Sequence, residues 1–248
     1  MTGILEILAE HKNLIAPILL QGGRKDKKYL QRLARYADIV QIVLPESAAI
    51  GLDRQYFLKE YPEFSLPAVL ETCTQFHQKS SKKIILLSGV QQAYAYGLSE
   101  FFADFIQAGV EAFMFSDLAP EESAEFLALA EQYQVPLIFQ AMQSAPESRI
   151  MELLQISPQV VTLVTAVLGQ EDMETDHLLD MLNRLKKRNV PVVLIDHVLK
   201  QEDNLWRVYQ AADGVILSGL EDMPNKEALR TLKRIKKFLA VLAKRMVK

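Results

Sequence analysis

Residues 98–115 read LSEFFADFIQAGVEAFMF, and a change of rhythm inside this stretch decides the fold. Leu98, Phe101, Phe102 and Phe105 recur at helical spacing and make one apolar stripe. Positions three or four apart share one face of a helix, so the stripe can pack as a unit. Ala108-Gly109-Val110 then supplies a turn, and Ala112–Phe115 follows as a short unbroken apolar run. A run of that length with no polar face suits a parallel strand buried on both sides. Helix, turn and strand in this order form one repeat of an α/β architecture.

The same unit recurs in both directions. Apolar runs predict strands at Ile15–Leu20, Ile39–Leu44, Ile84–Leu87, Ala112–Phe115, Val135–Phe139, Val160–Val164, Val190–Ile195 and Gly214–Leu217. Between them lie further stripes: Leu30, Leu33, Ala34 and Ala37, then Leu205, Val208, Tyr209 and Ala212, and finally Leu229, Leu232, Ile235, Phe238 and Leu242. Strict alternation implies parallel pairing with right-handed crossovers. Eight such units in 248 residues predict one (β/α)8 barrel spanning residues 1–248 as a single domain. An open doubly wound sheet is the competitor; the eight regular units and the lack of a GxGxxG after the first strand count against it.

Composition narrows the function classes. A net charge of −3 gives no general attraction to nucleic acid or anionic membrane. The single cysteine excludes an internal disulfide framework and fits a reducing compartment. The start, MTGILEILAEHKN, lacks the basic region and cleavage site of a signal peptide, and no apolar run reaches the ~18–20 residues needed to span a bilayer. The expectation is a cytoplasmic protein with no membrane and no nucleic-acid partner.

In barrels of this kind the active site is built at the C-terminal strand ends. Just past the predicted strands stand Gln21, Glu46, Ser88, Asp117, Gln140, Thr165, Asp196 with His197, and Ser218. Each also has a plainer reading as a loop residue or helix cap.

One block carries more than pattern. Tyr96-Gly97-Leu98, Phe101, Ala108-Gly109-Val110-Glu111-Ala112 and Ser116-Asp117-Leu118-Ala119-Pro120-Glu121-Glu122 follow one another in order. The block resembles the tryptophan synthase alpha subunit family, which has "YG(L/I)…F…AGVDG…PDLPPEE" at this point. Ala37–Ser47 resembles the family's "ADIIELGIPFSDP", Pro136–Phe139 its "LIFLVAPTS" strand, and Ala212–Ile216 its "ADGVIVGSA". The resemblance implies a TIM barrel without a cofactor of its own. It implies a lyase of tryptophan biosynthesis that splits indole-3-glycerol phosphate into indole and glyceraldehyde 3-phosphate. It also implies a beta-subunit-like partner, a pyridoxal-phosphate enzyme that receives the indole.

The residues depart from the family where its chemistry is done. The family reaction needs two carboxylates that shuttle protons; a carboxamide cannot, because it does not titrate near neutral pH. Gln41 stands at the position of the family's catalytic glutamate, a nearly isosteric change that removes the base. The second acid falls in a shortened loop, Ala49–Arg54, where Leu52 aligns with the catalytic aspartate and Asp53 lies one place on. The family's three glycine-containing phosphate turns read here Ala166–Asp172, Ile195–Leu199 and Ser218–Asp222, with Gly169 and Gly219 remaining. Asp172, Asp196, Glu221 and Asp222 have entered them. A phosphate dianion about 6 Å from one unpaired carboxylate is repelled by roughly 5–6 kcal/mol at an effective dielectric of 20.

These positions define the candidate site: Gln41 and Asp53 as degenerate catalytic positions, and Asp117, Gly169, Asp196, Ser218 and Gly219 for binding a small molecule. The leading expectation is a family member whose lyase activity is lost or strongly reduced. The alternatives are a working lyase using Asp53 and another base, or a barrel for a non-phosphorylated molecule built on Asp117, Asp196 and His197. Adjacent residues on an extended chain point to opposite sides, which weakens Asp196 and His197 as an acid–base pair. His11, His77, His177 and His197 show no metal-ligand spacing, so no metal is expected. Cys73 and Trp206 read as packing residues, and the cations of the last helix, Lys226 to Lys248, as a solvated face.

Overall fold

In a computed structural model the described residues are 3–10, 13–20, 24–45, 64–142, 144–157, 161–164, 175–188, 193–198, 202–220 and 223–246. Among the described residues there are eight strands: β1 (Asn13–Leu19), β2 (Ile39–Val43), β3 (Lys83–Ser88), β4 (Ala112–Phe115), β5 (Leu137–Met142), β6 (Val161–Val164), β7 (Val193–Val198) and β8 (Gly214–Ser218). The described helices are α1 (Ile4–Glu10), α2 (Arg24–Leu33), α3 (Leu66–Lys79), α4 (Val90–Tyr96), α5 (Leu98–Gln107), α6 (Ala124–Gln132), α7 (Glu147–Ile156), α8 (Thr175–Lys187), α9 (Glu202–Ala211) and α10 (Asn225–Met246).

All neighbouring strands pair in parallel and in chain order, and the sheet closes between β1 and β8 through Asn13↔Gly214, Leu14↔Val215 and Ile15↔Ile216. That last pairing makes the molecule a (β/α)8 barrel and excludes the open sheet. Pro17 lies just beyond the closing pairs, opposite Gln41 on β2. A proline has no N–H to give a ladder, and here the β1–β8 pairing stops short of it.

Alternation along the strands sorts the core into two shells. Ile15, Ile39, Ile85, Ala112, Met114, Ile138, Leu194 and Ile216 fill the bore. Ile4 and Leu8 of α1 join this cluster, so the first helix plugs one end of the barrel. The plug sits at the N-terminal strand ends, which leaves the C-terminal mouth for chemistry. The residues of opposite parity, such as Val40, Ile42, Ile84, Leu86, Phe113 and Phe115, face the helices.

The stretch that decides the fold packs as its rhythm requires. Phe102 of α5 stacks on Phe113 of β4 at 4.4 Å between ring centres, and Phe115 meets Phe126 of α6 edge-on at 4.7 Å. Offset and edge-to-face contacts of this kind add to the burial of large apolar rings. At Gly109 the backbone has φ +97°, and a Cβ there would lie 2.3 Å from the ring of His77, so no other residue fits. Cys73 is fully buried on α3 and its thiol is pushed up to about 12 by burial, as a core residue requires. Trp206 stacks against Tyr209 along α9.

Two strand ends need correction. The apolar runs predict a strand end at Phe139, yet β5 continues to Met142. Gln140 interrupts the run but holds its ladder place opposite Thr162. Likewise β7 extends to Val198, with Asp196 paired to Val164 and Ile216, and His197 to Leu217. A polar residue ended the hydrophobic pattern without ending the backbone pairing.

Candidate active site

The parallel, closed sheet brings every C-terminal strand end to one rim. Leu20 donates to Val43, Leu44 to Leu87 and Ser116 to Ser88, each through its backbone N–H at 2.9–3.2 Å, so the first four strands stay tied together up to the mouth.

Gln41 is the middle residue of β2 and shares its parity with Ile39, which places it in the bore. It is 2% exposed, and its Nε2 donates to Met114 Sδ at 3.3 Å. Its ladder neighbours are Pro17 and Ile85. Among the residues whose side chains are described, no buried one is charged. Chemically the position offers one amide donor resting on a soft, weak acceptor.

Across the bore, four strands away, stands Thr162 on β6. It pairs with Gln140 and with Leu194, a member of the bore cluster. Its hydroxyl is fully buried and has no hydrogen-bond partner among the described residues. Sequence reading missed this residue because a threonine inside a strand is unremarkable by type.

Asp117 lies two residues past β4 and is exposed. Its Oδ1 accepts the backbone N–H of Val90 at 2.8 Å, so this carboxylate caps α4, the helix that follows the neighbouring strand. Helix N-termini leave N–H groups without intrahelical partners, and a carboxylate is well suited to them. Gln92 completes the arrangement. Its Oε1 accepts from Ser88 Oγ at 3.0 Å and from the Gly89 N–H at 3.4 Å, while its Nε2 donates to the Pro45 carbonyl. One side chain thereby holds the ends of β2 and β3. The signal was present in Gly89-x-x-Gln92, a glutamine three places after a helix start, able to reach back to the cap.

Ser218 is the last residue of β8, opposite Val198, and Gly219 follows with φ +94° and open space where a Cβ would stand. Asp196 occupies the fourth place of β7. Asp53, Gly169, Gln21, Glu46, Thr165, Asp172, Glu221 and Asp222 lie outside the described residues. Among the described residues no group of three His, Cys, Asp or Glu could hold a metal ion, and no helix is long and apolar enough to cross a membrane.

Beyond the rim, Glu121 of the block after β4 bonds Arg149 of α7 at 2.9 Å, and Arg149 also holds Glu152 at 2.8 Å. The hydrogen bond from Arg149 keeps the Glu121 carboxyl below the usual carboxylate range. This part of the block pins one rim segment to the next helix.

A sequence model described as tryptophan synthase alpha chain matches residues 58–240, about three quarters of the chain. The chain belongs to the tryptophan synthase alpha chain family. A tryptophan synthase alpha chain from Geotalea daltonii is 25% identical over 155 residues, which are 62% of this chain and 59% of that protein. One from Archaeoglobus fulgidus is 23% identical over 186 residues, covering 73% of this chain and 75% of the relative. With the Geotalea protein and others like it, the match spans less than two thirds of the relative's own length. Among solved structures, a mutant tryptophan synthase alpha-subunit from Pyrococcus furiosus superposes with a TM-score of 0.76 at 22% identity, covering 93% of this chain and 98% of that one. A chain of the α2β2 tryptophan synthase complex of the same organism gives 0.74 at 20% identity, covering 92% and 95%. These solved structures share the fold of this tryptophan synthase alpha chain family member.

Proposed function

We propose that this chain is a divergent tryptophan synthase alpha-subunit-like barrel in which cleavage of indole-3-glycerol phosphate is lost or strongly reduced, and whose C-terminal mouth takes a small molecule without a phosphate. The observation that carries this reading is Gln41. It is buried and donates to a thioether, where the family chemistry needs a carboxylate that takes a proton and returns it. Thr162 offers such a ligand one polar contact. A buried hydroxyl without a partner costs about 1–3 kcal/mol, and a carbonyl or hydroxyl on a bound molecule would remove that cost. The solved α2β2 relatives support assembly with a beta-subunit-like chain, and a cytoplasmic location goes with that reading.

Indole release from indole-3-glycerol phosphate tests the proposal directly. The expected rate lies ~10²–10⁴-fold below that of an ordinary alpha subunit, the usual effect of losing a general base. Turnover at the ordinary rate overturns the reading. Thermal melts with indole and with glycerol phosphate separate the ligand classes: a rise with indole alone is expected, and a rise with glycerol phosphate alone counts against it.

A further inference from the structure

The outer wall of the barrel carries a second concave site, between the first and last helices of the ring. A groove of about 680 Å³ runs between α2 and α10. Lys28 and Arg32 of α2, with Arg35 just beyond it, stand along one side; Lys226, Arg230 and Lys233 of α10 stand along the other. Both rows follow the same i, i+4, i+7 spacing, so each runs about 10 Å down one helix face. Tyr29, Tyr36 and Leu229 also line the groove, and no acidic residue is among its described lining.

All six cations are exposed, and none makes an ion pair or a side-chain hydrogen bond among the described residues. Nearby cations do find acids: Lys27 bonds Glu71 at 2.9 Å and Lys236 bonds Asp38 at 3.2 Å. The contrast is local, because the chain as a whole is acidic, with a net charge of −3. Like charges at i, i+4 weaken a helix, so two facing rows of them are a standing cost that an anion would relieve.

We propose that this groove binds a small molecule carrying several phosphoryl groups. Its volume lies in the range of clefts that hold small ligands. Each terminal phosphoryl group brings about −1.5 to −2 charges and three acceptor oxygens, so a compact molecule with several phosphoryl groups can meet cations on both sides of the cleft. Arg32, Arg35 and Arg230 supply planar forks suited to paired phosphate oxygens. An acidic helix, with its carboxylates a turn or so apart, brings too few charges into the same length.

Titration calorimetry of the full chain at low salt, with inorganic tripolyphosphate as the probe, tests the proposal. Saturable one-to-one binding is expected, about tenfold or more tighter than for orthophosphate. Arg32→Gln together with Arg230→Gln should weaken it by about tenfold or more, since charge-assisted bonds to two forks are lost. Arg149→Gln and Arg184→Gln, cations elsewhere on the surface, should leave it unchanged. Circular dichroism of each variant confirms that it folds. Equal losses in both sets of variants would mean diffuse attraction and overturn the assignment, as would an absence of saturable binding. A single-stranded oligonucleotide or an acidic helical peptide that binds more tightly than tripolyphosphate also overturns it, in favour of a macromolecular partner.

Discussion

A carboxylate in place of the Gln41 carboxamide would enter a bore whose described walls hold no cation. Desolvation raises the pKa of a buried carboxyl above its unfolded value of about 4.3. The folded state of Gln41→Glu then binds more protons than the unfolded state between the two pKa values, so its stability falls as pH rises from the unfolded pKa to the folded one and is level above it. Thermal or urea melts from pH 4 to pH 8 should show a variant near wild type at the acid end and weaker by roughly 2–5 kcal/mol at the alkaline end. The same variant is not expected to regain full lyase rate, because the resemblance also puts Leu52 at the position of the family's second acid. Thr162 gives the opposite outcome. Thr162→Val removes a hydroxyl that has no partner, so the unliganded protein should gain about 1 kcal/mol in the same melts, while any ligand that bonds Thr162 binds less well. A loss of stability on Thr162→Val would show that the hydroxyl is already satisfied.

Between strand ends and helix starts, the rim is organised by side chains that cap and clamp. Asp117→Ala should cost about 1 kcal/mol by freeing the Val90 N–H, whereas Asp117→Asn keeps an acceptor and should cost only a few tenths. Chemical denaturation of the pair separates capping from charge; equal losses would show that the negative charge is what matters. Gln92→Ala breaks the tie between Pro45, Ser88 and Gly89 and should cost about 1–3 kcal/mol. Hydrogen exchange should locate that loss at the ends of β2 and β3. Legibility in the sequence follows the same division. Periodicity marks α5 and β4 well, because Phe101, Phe102 and Phe105 repeat on one face and Ala112–Phe115 is wholly apolar. It fails at the ends of β5 and β7, where Gln140 and Asp196 look like exits but keep their ladder places. Within the site, the place of Gln41 in a strand was legible from the apolar run Ile39–Leu44 that contains it. Its partner Met114 was not, since a bond between residues 73 apart depends on barrel curvature rather than on local pattern. Asp117 was legible as a rim residue, but not its hold on α4, because the capped helix follows a different strand.

As a whole the molecule is a closed barrel with a packed bore, and α1 covers its N-terminal end. Leu8 is fully buried among bore residues, so Leu8→Ala should cost about 2–5 kcal/mol, read from the shift of a urea midpoint at constant slope. A cost well under 1 kcal/mol would show that the plug contributes little to the fold. The seam where β1 meets β8 adds a consequence in time. Asn13–Ile15 find their partners only at Gly214–Ile216, about 200 residues later in the chain. At a synthesis rate of about 5–20 residues per second, β1 waits roughly 10–40 s for its second neighbour. During that interval the nascent chain presents an open strand edge, a template on which another copy can pair. Slowed translation of the last two strand–helix units should therefore lower the soluble yield, although no contact in the finished molecule has changed.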